Sequence, residues 1–305
     1  MLVFATSDKG GTGRSVTSSN VIYRRALQGG DVCYLDFDFA SPTAGAIFNI
    51  PAAIRGTSNG GLHSYLKNEI NEPERLDVWS ASDRVGLRDR PAGAGRLVLL
   101  PGDAGGGDFP SNRDVVQRCV SLFLRLEEEF ELCLVDLSAG RSYAIDMVLA
   151  ATAEPEVQSL TTRWLVFHRW TRQHIVAANG LVYGERGILD IGVDRGHDRQ
   201  ILNDSIRFVR TAVVDPDSAE LAGLRPAQVA WLREANRELK ELAGKQRLGR
   251  TSMLGRVPLD PVLQWREQLI SDDDTYASQI ANRETVDAFE TLAKRLMDDS
   301  AWEGL

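Results

Sequence analysis

Residues 7–16 read SDKGGTGRSV, and their setting decides the fold. The apolar run LVFAT (2–6) leads straight into them, and Ser15 to Leu27 follows with helical spacing until Gly29-Gly30 stops it. This is strand, glycine turn, helix. Glycines let backbone N–H groups turn inward and approach an anion, and the helix N-terminus adds a favourable dipole. Three glycines and a serine within seven residues are extravagant for a plain tight turn. The stretch therefore reads as a phosphate-binding loop, with Lys9, Gly10, Gly11, Thr12, Gly13, Arg14, Ser15 and Val16 around the phosphates and the Ser15 hydroxyl placed for Mg²⁺.

Working outward, the same rhythm repeats. Short apolar runs at 31–36, 96–102, 131–136, 164–168, 206–214 and 252–258 read as buried strands. Helical spacing fills 113–130, the segment from Tyr143, 262–270 and 281–297. Residues 55–61 and 80–95 are polar, Gly- and Arg-rich loops, and 102–112 is a flexible connection. Seven buried strands alternating with helices predict an α/β fold: a doubly wound, mostly parallel seven-stranded sheet with helices on both faces. No internal repeat or composition break divides it, so 1–305 reads as one domain. Ligands of such sheets sit beyond the C-terminal strand ends.

Two of those ends carry carboxylates. The second strand ends in LDFDFASP (35–42) and the fourth in VDLSAG (135–140). An Asp at a strand end is by itself usually a cap or turn former. Three of them in register with the glycine turn point to phosphate chemistry, with Ser15, Asp36 and Asp136 as Mg²⁺ ligands and Asp38 orienting an attacking water.

These residues carry a resemblance. KGGTGRS (9–15) resembles the deviant Walker A motif, KGGxGK[ST], of the ParA/MinD family of P-loop NTPases. DFD (36–38) resembles that family's A′ motif, and VDLSAG its Walker B and switch II segment. LVLLPGD (97–103) and LGRVPLDP (254–261) look like further family strands and loops, so the likeness spans nearly the whole chain. It implies ATP (or ADP) and Mg²⁺ as ligands and a homodimer formed on nucleotide binding. Lys9 would then reach across to the partner's phosphates as a catalytic residue beside Asp38, and a protein partner or cargo would be recruited.

The departures are specific. Arg14 stands where the motif has lysine, a planar five-donor fork in place of a compact point charge. Loss of one transition-state contact of that kind costs on the order of 3 kcal/mol, or about two decades in rate. Slow hydrolysis, or binding without turnover, is the expectation. Val16 lacks the hydroxyl many relatives use on the α-phosphate. Leu137-Ser138-Ala139-Gly140 replaces the usual switch II pattern, and Arg141 could reach the phosphates, a partner or only solvent. VVDPD (213–217) stands where relatives carry an adenine-reading Asn, leaving Asp215 or the loop around Pro258 as substitutes.

The remaining features bound the function. The chain has 305 residues, 43% hydrophobic and 26% charged, an ordinary globular composition. Cys33, Cys119 and Cys133 read as buried hydrophobes in a reducing compartment, and four scattered His residues offer no zinc spacing. No leader and no run of 18 apolar residues is legible, so a cytoplasmic protein without a membrane anchor is expected. A net charge of −8 argues against global nucleic-acid affinity. The basic stretch 225–256 could bind DNA non-specifically, but a salt-bridged amphipathic helix is the favoured reading. The acidic amphipathic segment 284–305 is expected to dock on its own domain. Trp164, Trp170, Trp231 and Trp265 are expected in packing. Two functional classes stay open: an ATP-driven switch, and a pseudo-ATPase acting as a structural or regulatory subunit. A kinase-like or amidoligase-like use of the loop lacks a visible second substrate site.

Overall fold

Eight apolar runs form one sheet in the computed structural model, which describes residues 1–218 and 223–303. The strands are β1 (Leu2–Thr6), β2 (Val32–Phe37), β3 (Leu76–Asp77), β4 (Leu97–Leu100), β5 (Leu132–Leu137), β6 (Thr162–Arg169), β7 (Ile206–Val213) and β8 (Met253–Pro258). Their order is β3-β4-β2-β5-β1-β6-β7-β8, all parallel except β3, which runs antiparallel to β4. The seven expected strands are present. The eighth, β3, is a two-residue edge strand too short to leave a period in the sequence.

Both faces of the sheet are covered, which is why β1, β2 and β5 read as continuous apolar runs. Side chains alternate between two cores, as the two-residue period of a strand requires. Phe4, Cys33, Leu35 and Val135 face one core, where Phe123 of the Arg113–Glu129 helix stacks on Phe37. Val3, Ala5, Tyr34 and Leu134 face the other, against the Arg14–Leu27 and Arg283–Met297 helices. The last of these helices packs on the first one and on β8, burying Phe289, Leu292 and Leu296, so the C-terminal segment docks on its own chain as expected; residues 304–305 lie outside the described ones.

Two sequence expectations change. The helix expected over 262–270 ends at Trp265. Buried side chains of the first helix capture the backbone that follows: Asn20 Nδ2 donates to the Gln268 carbonyl at 3.0 Å, the Ile270 N–H donates to Asn20 Oδ1 at 2.7 Å, and Arg24 donates to the Ile270 carbonyl at 2.7 Å. Those groups are satisfied without helical bonds. Trp164 and Trp170 are buried as expected, but Trp231 and Trp265 are 68% and 84% exposed and pack on little. All three cysteines are buried free thiols. No helix among the described residues is long and apolar enough to cross a membrane.

Candidate functional site

The crossover from β1 to β2 passes over β5, so the loop after β1 lies beside the C-terminal ends of β2 and β5. In the strand register Ala5 is opposite Asp136, and Asp136 is opposite Asp36. The two carboxylates therefore sit side by side under residues 7–16. Tyr34, Asp36 and Asp136 fall on the face covered by the Arg14–Leu27 helix, because each is an even number of residues from its neighbours in that core.

The loop itself is shaped for an anion. Gly11 and Gly13 adopt φ of +70° and +75°, a left-handed backbone that glycine enters without strain. Gly13 caps the helix with no side-chain hydrogen bond. The first loop N–H to find a backbone acceptor is that of Thr17, which donates to the Gly13 carbonyl at 2.9 Å; among the described residues those of Arg14, Ser15 and Val16 have none. They are the orphan donors of a helix start. Neighbouring strands hold the loop. Thr211 Oγ1 on β7 donates to the Thr12 carbonyl at 2.5 Å, Ser7 Oγ to the Lys9 carbonyl at 3.0 Å, and the Gly140 N–H to the Ser7 carbonyl at 2.8 Å.

Arg14 does not point along the loop. Its side chain turns into the protein, where only 6% of the residue is exposed. Nε donates to Asp136 Oδ1 at 2.5 Å, and Nη2 donates to Asp38 Oδ2 and to Ser15 Oγ, each at 3.2 Å. Asp136 Oδ2 accepts from the Tyr34 hydroxyl at 2.8 Å. Burial alone would ease the proton off Arg14, but the charges of Asp136 and Asp38 outweigh it and hold the guanidinium more firmly protonated than usual. Burial pushes the Tyr34 hydroxyl up, reinforced by Asp136 and Asp36. It also raises Asp36 to about 8, with the charges of Asp136 and Asp38 adding to the effect and the Ala44 N–H, 2.9 Å from Oδ2, opposing it.

The predicted residues thus converge: Lys9 at the front of the loop, Gly10 to Val16 around the helix start, and Asp36, Asp38 and Asp136 below. Arg141 turns away, donating to the Gly180 carbonyl at 2.8 Å and lying 3.5 Å from Asp8. Beside the loop opens a cavity of about 200 Å³, walled by Gly13, Thr17, Thr211, Pro258, Leu263 and Gln264 among others. The loop around Pro258 lines it. Asp215 does not; it lies in a separate cleft and faces Arg256 at 3.6 Å. Ala212, another wall residue, has φ of +51° where the β7–β8 register shifts, a strained backbone at the cavity's edge. Sequence reasoning missed Tyr34 and Thr211. Tyr34 was readable, since two residues before Asp36 on a strand is the same face; Thr211 left only one polar letter inside an apolar run. A larger cleft, about 1260 Å³, lies further along past Arg141 and Tyr143 and carries mixed charge.

The basic stretch is less self-paired than expected. The Pro226–Lys245 helix is mostly exposed; Arg237 pairs with Glu234 at 2.5 Å within it, but Arg233 pairs with Asp217 outside it, also at 2.5 Å.

A parallel sheet of this order with a glycine loop leading into the first helix is the fold of the P-loop NTPases, and within them of the MinD and ParA ATPases. The MinD cell division protein of Aquifex aeolicus superimposes with a TM-score of 0.61 at 14% identity, covering 97% of this chain and 96% of that one. The MinD septum site-determining protein of Pyrococcus horikoshii, complexed with Mg-ADP, gives 0.56 at 12% identity over 98% of both chains. A plasmid partition protein of Borrelia burgdorferi bound to AMPPNP gives 0.55 at 13% identity, covering 97% and 98%. No protein-family model matches the chain, and no curated protein does.

Proposed function

We propose that this chain is a ParA/MinD-type nucleotide-binding protein that takes ATP or ADP at residues 9–16 and turns it over slowly or not at all. The observation that carries the reading is the row of N–H groups at Arg14, Ser15 and Val16 with no backbone acceptor among the described residues, opening beside a cavity of about 200 Å³. The phosphates would take those donors and the Lys9 ammonium, and the base would lie between Thr211, Pro258 and Leu263. Val16 serves through its N–H alone.

Hydrolysis would need Asp38 free to orient a water and a cation on the β- and γ-phosphates. Ser15, Asp36 and Asp136 are the oxygens a Mg²⁺ would use, and it would supply Lewis-acid stabilisation of the phosphate charge. Ser15 and Asp136 are bonded to Arg14, as is Asp38. With those oxygens on Arg14, the site fits a nucleotide held by the loop N–H groups better than a metal-assisted step. The same bonds favour the second reading, a pseudo-ATPase whose nucleotide is a structural ligand and whose product is a homodimer or a docked partner.

Fluorescent ATP and ADP titrations, phosphate release, and light scattering on a sizing column with and without ATP test this. Micromolar binding, phosphate release slower than about one turnover per minute, on the scale expected for one lost transition-state contact, and an ATP-dependent dimer abolished by Lys9→Ala support the switch. Binding and dimerisation with no release, unchanged by Asp38→Ala, support the pseudo-ATPase. Absence of binding in the wild type and in Arg14→Lys rejects the switch and leaves only an interaction platform with an empty loop.

A further inference from the structure

We propose that the Arg14 guanidinium stands in for the divalent cation of this site, excluding a metal and leaving the loop to hold phosphates as the metal-free anion. The second half of this inference rests on the nucleotide reading above; the first half does not.

The guanidinium and a metal ion would compete for the same oxygens. Of the three oxygens a divalent cation would use, Ser15, Asp36 and Asp136, one guanidinium already bonds two, Asp136 Oδ1 at 2.5 Å and Ser15 Oγ at 3.2 Å, and it also holds the neighbouring Asp38 Oδ2 at 3.2 Å. Mg²⁺ sits about 2.1 Å from its oxygens in a near-octahedral shell. It cannot occupy that space while Nε is in contact with Asp136, and two cations so close repel strongly in a buried setting. The other oxygen of Asp136 is held by the Tyr34 hydroxyl. Asp36 does not rescue a metal site. Its Oδ2 accepts the Ala44 N–H at 2.9 Å and its Oδ1 accepts the Asp38 N–H at 3.3 Å, so both of its oxygens already serve backbone donors. Among the described residues no three His, Cys, Asp or Glu side chains are grouped so as to hold a metal ion.

The guanidinium also keeps a hand free. Among the described residues Nη1 makes no hydrogen bond, and it is not among the fully buried polar atoms left without a partner, so part of it stays accessible. Its two N–H bonds can serve a phosphate oxygen while Nε and Nη2 stay on the carboxylates. A lysine at this position would bring all its donors to one point, with no separate nitrogen to serve a phosphate while others stay on Asp136 and Asp38. The departure at residue 14 is therefore a replacement of one cation by another, which explains why the carboxylates persist beside it.

Two measurements test this. Apo protein is titrated with Mn²⁺ and the free ion is read by its paramagnetic resonance. Wild type should leave Mn²⁺ free at millimolar concentration, and Arg14→Ala, with the oxygens released, should bind one ion and gain thermal stability from it. Fluorescent ATP is then titrated in Mg²⁺ and in EDTA. Wild-type Kd should change by less than about threefold, whereas Arg14→Lys should bind at least about tenfold tighter with Mg²⁺. If Arg14→Ala does not fold, wild type and Arg14→Lys still decide the matter. Mn²⁺ binding by the wild-type apo protein, or tenfold tightening of its ATP binding by Mg²⁺, overturns the proposal. Exclusion of Mn²⁺ by wild type together with no ATP binding in either buffer keeps the cation assignment and rejects the nucleotide reading.

Discussion

Asp36 makes the protein less stable as the pH rises, and Asp36→Asn should remove that dependence. The carboxyl is 2% exposed and its pKa in the folded protein is about 8, against an ordinary 3.8. Between those values the folded chain keeps a proton that the unfolded chain has lost. Unfolding therefore releases a proton, and raising the pH favours it. The contribution is fully present below about pH 4, falls by about 1.4 kcal/mol per pH unit, and is gone above about pH 8. Asparagine mimics the protonated group: its Oδ1 can still accept the Ala44 N–H, and its amide carries no charge toward Asp136 and Asp38. Urea unfolding of both proteins at pH 5, 6, 7, 8 and 9 isolates the term, because groups that do not interact with Asp36 cancel in the difference. The wild type should lose about 3 kcal/mol relative to Asp36→Asn from pH 5 to 7, and the difference should level off above 8. Parallel curves across the whole window would mean that Asp36 is ionised in the folded protein and the reasoning is wrong.

Other perturbations isolate single contacts. Tyr34→Phe deletes the hydroxyl that Asp136 Oδ2 accepts at 2.8 Å in a buried site and should cost about 1–3 kcal/mol in urea unfolding; an unchanged midpoint would show that Arg14 alone satisfies Asp136. Thr211→Val removes the donor to the Thr12 carbonyl, so amide exchange at Thr17 and Gly140, whose N–H groups bond the loop's Gly13 and Ser7 carbonyls, should quicken while that of β7 itself stays slow. Equal protection in both proteins would count against β7 as the loop's anchor. Gly13→Ala should lose about 1–2 kcal/mol to its +75° φ alone, since the nearest atoms to an added Cβ are 3.9 Å away. Gly10→Ala, with nothing within 4 Å and no left-handed φ, should be neutral for stability; a matching loss there would refute the backbone argument.

What the sequence by itself determined is the architecture and the meeting of the glycine loop with Asp36, Asp38 and Asp136, while Tyr34 and Thr211 escaped it. Strands buried on both faces show as apolar runs, and a glycine turn between such a run and a helix has few structural uses. Local chemistry was enough for β1, β2 and β5 and for the loop between Lys9 and Val16. The endings of weaker elements were not legible. The helix after Asp260 stops at Trp265 because Asn20 and Arg24, some 250 residues earlier in the chain, take the backbone groups that a helix would have used. The exposure of Trp231 and Trp265 is likewise set by what packs beside them and not by their own hydrophobicity.

Tertiary structure alone decided what Arg14 does. In the chain it is a changed letter in a phosphate loop, 24 residues from Asp38 and 122 from Asp136. The β2–β5 register brings those two carboxylates under the helix start, and burial makes a cation between them worth more than one extended into solvent. Charge type was written in the sequence; the direction in which the charge points was settled by which strands lie next to each other.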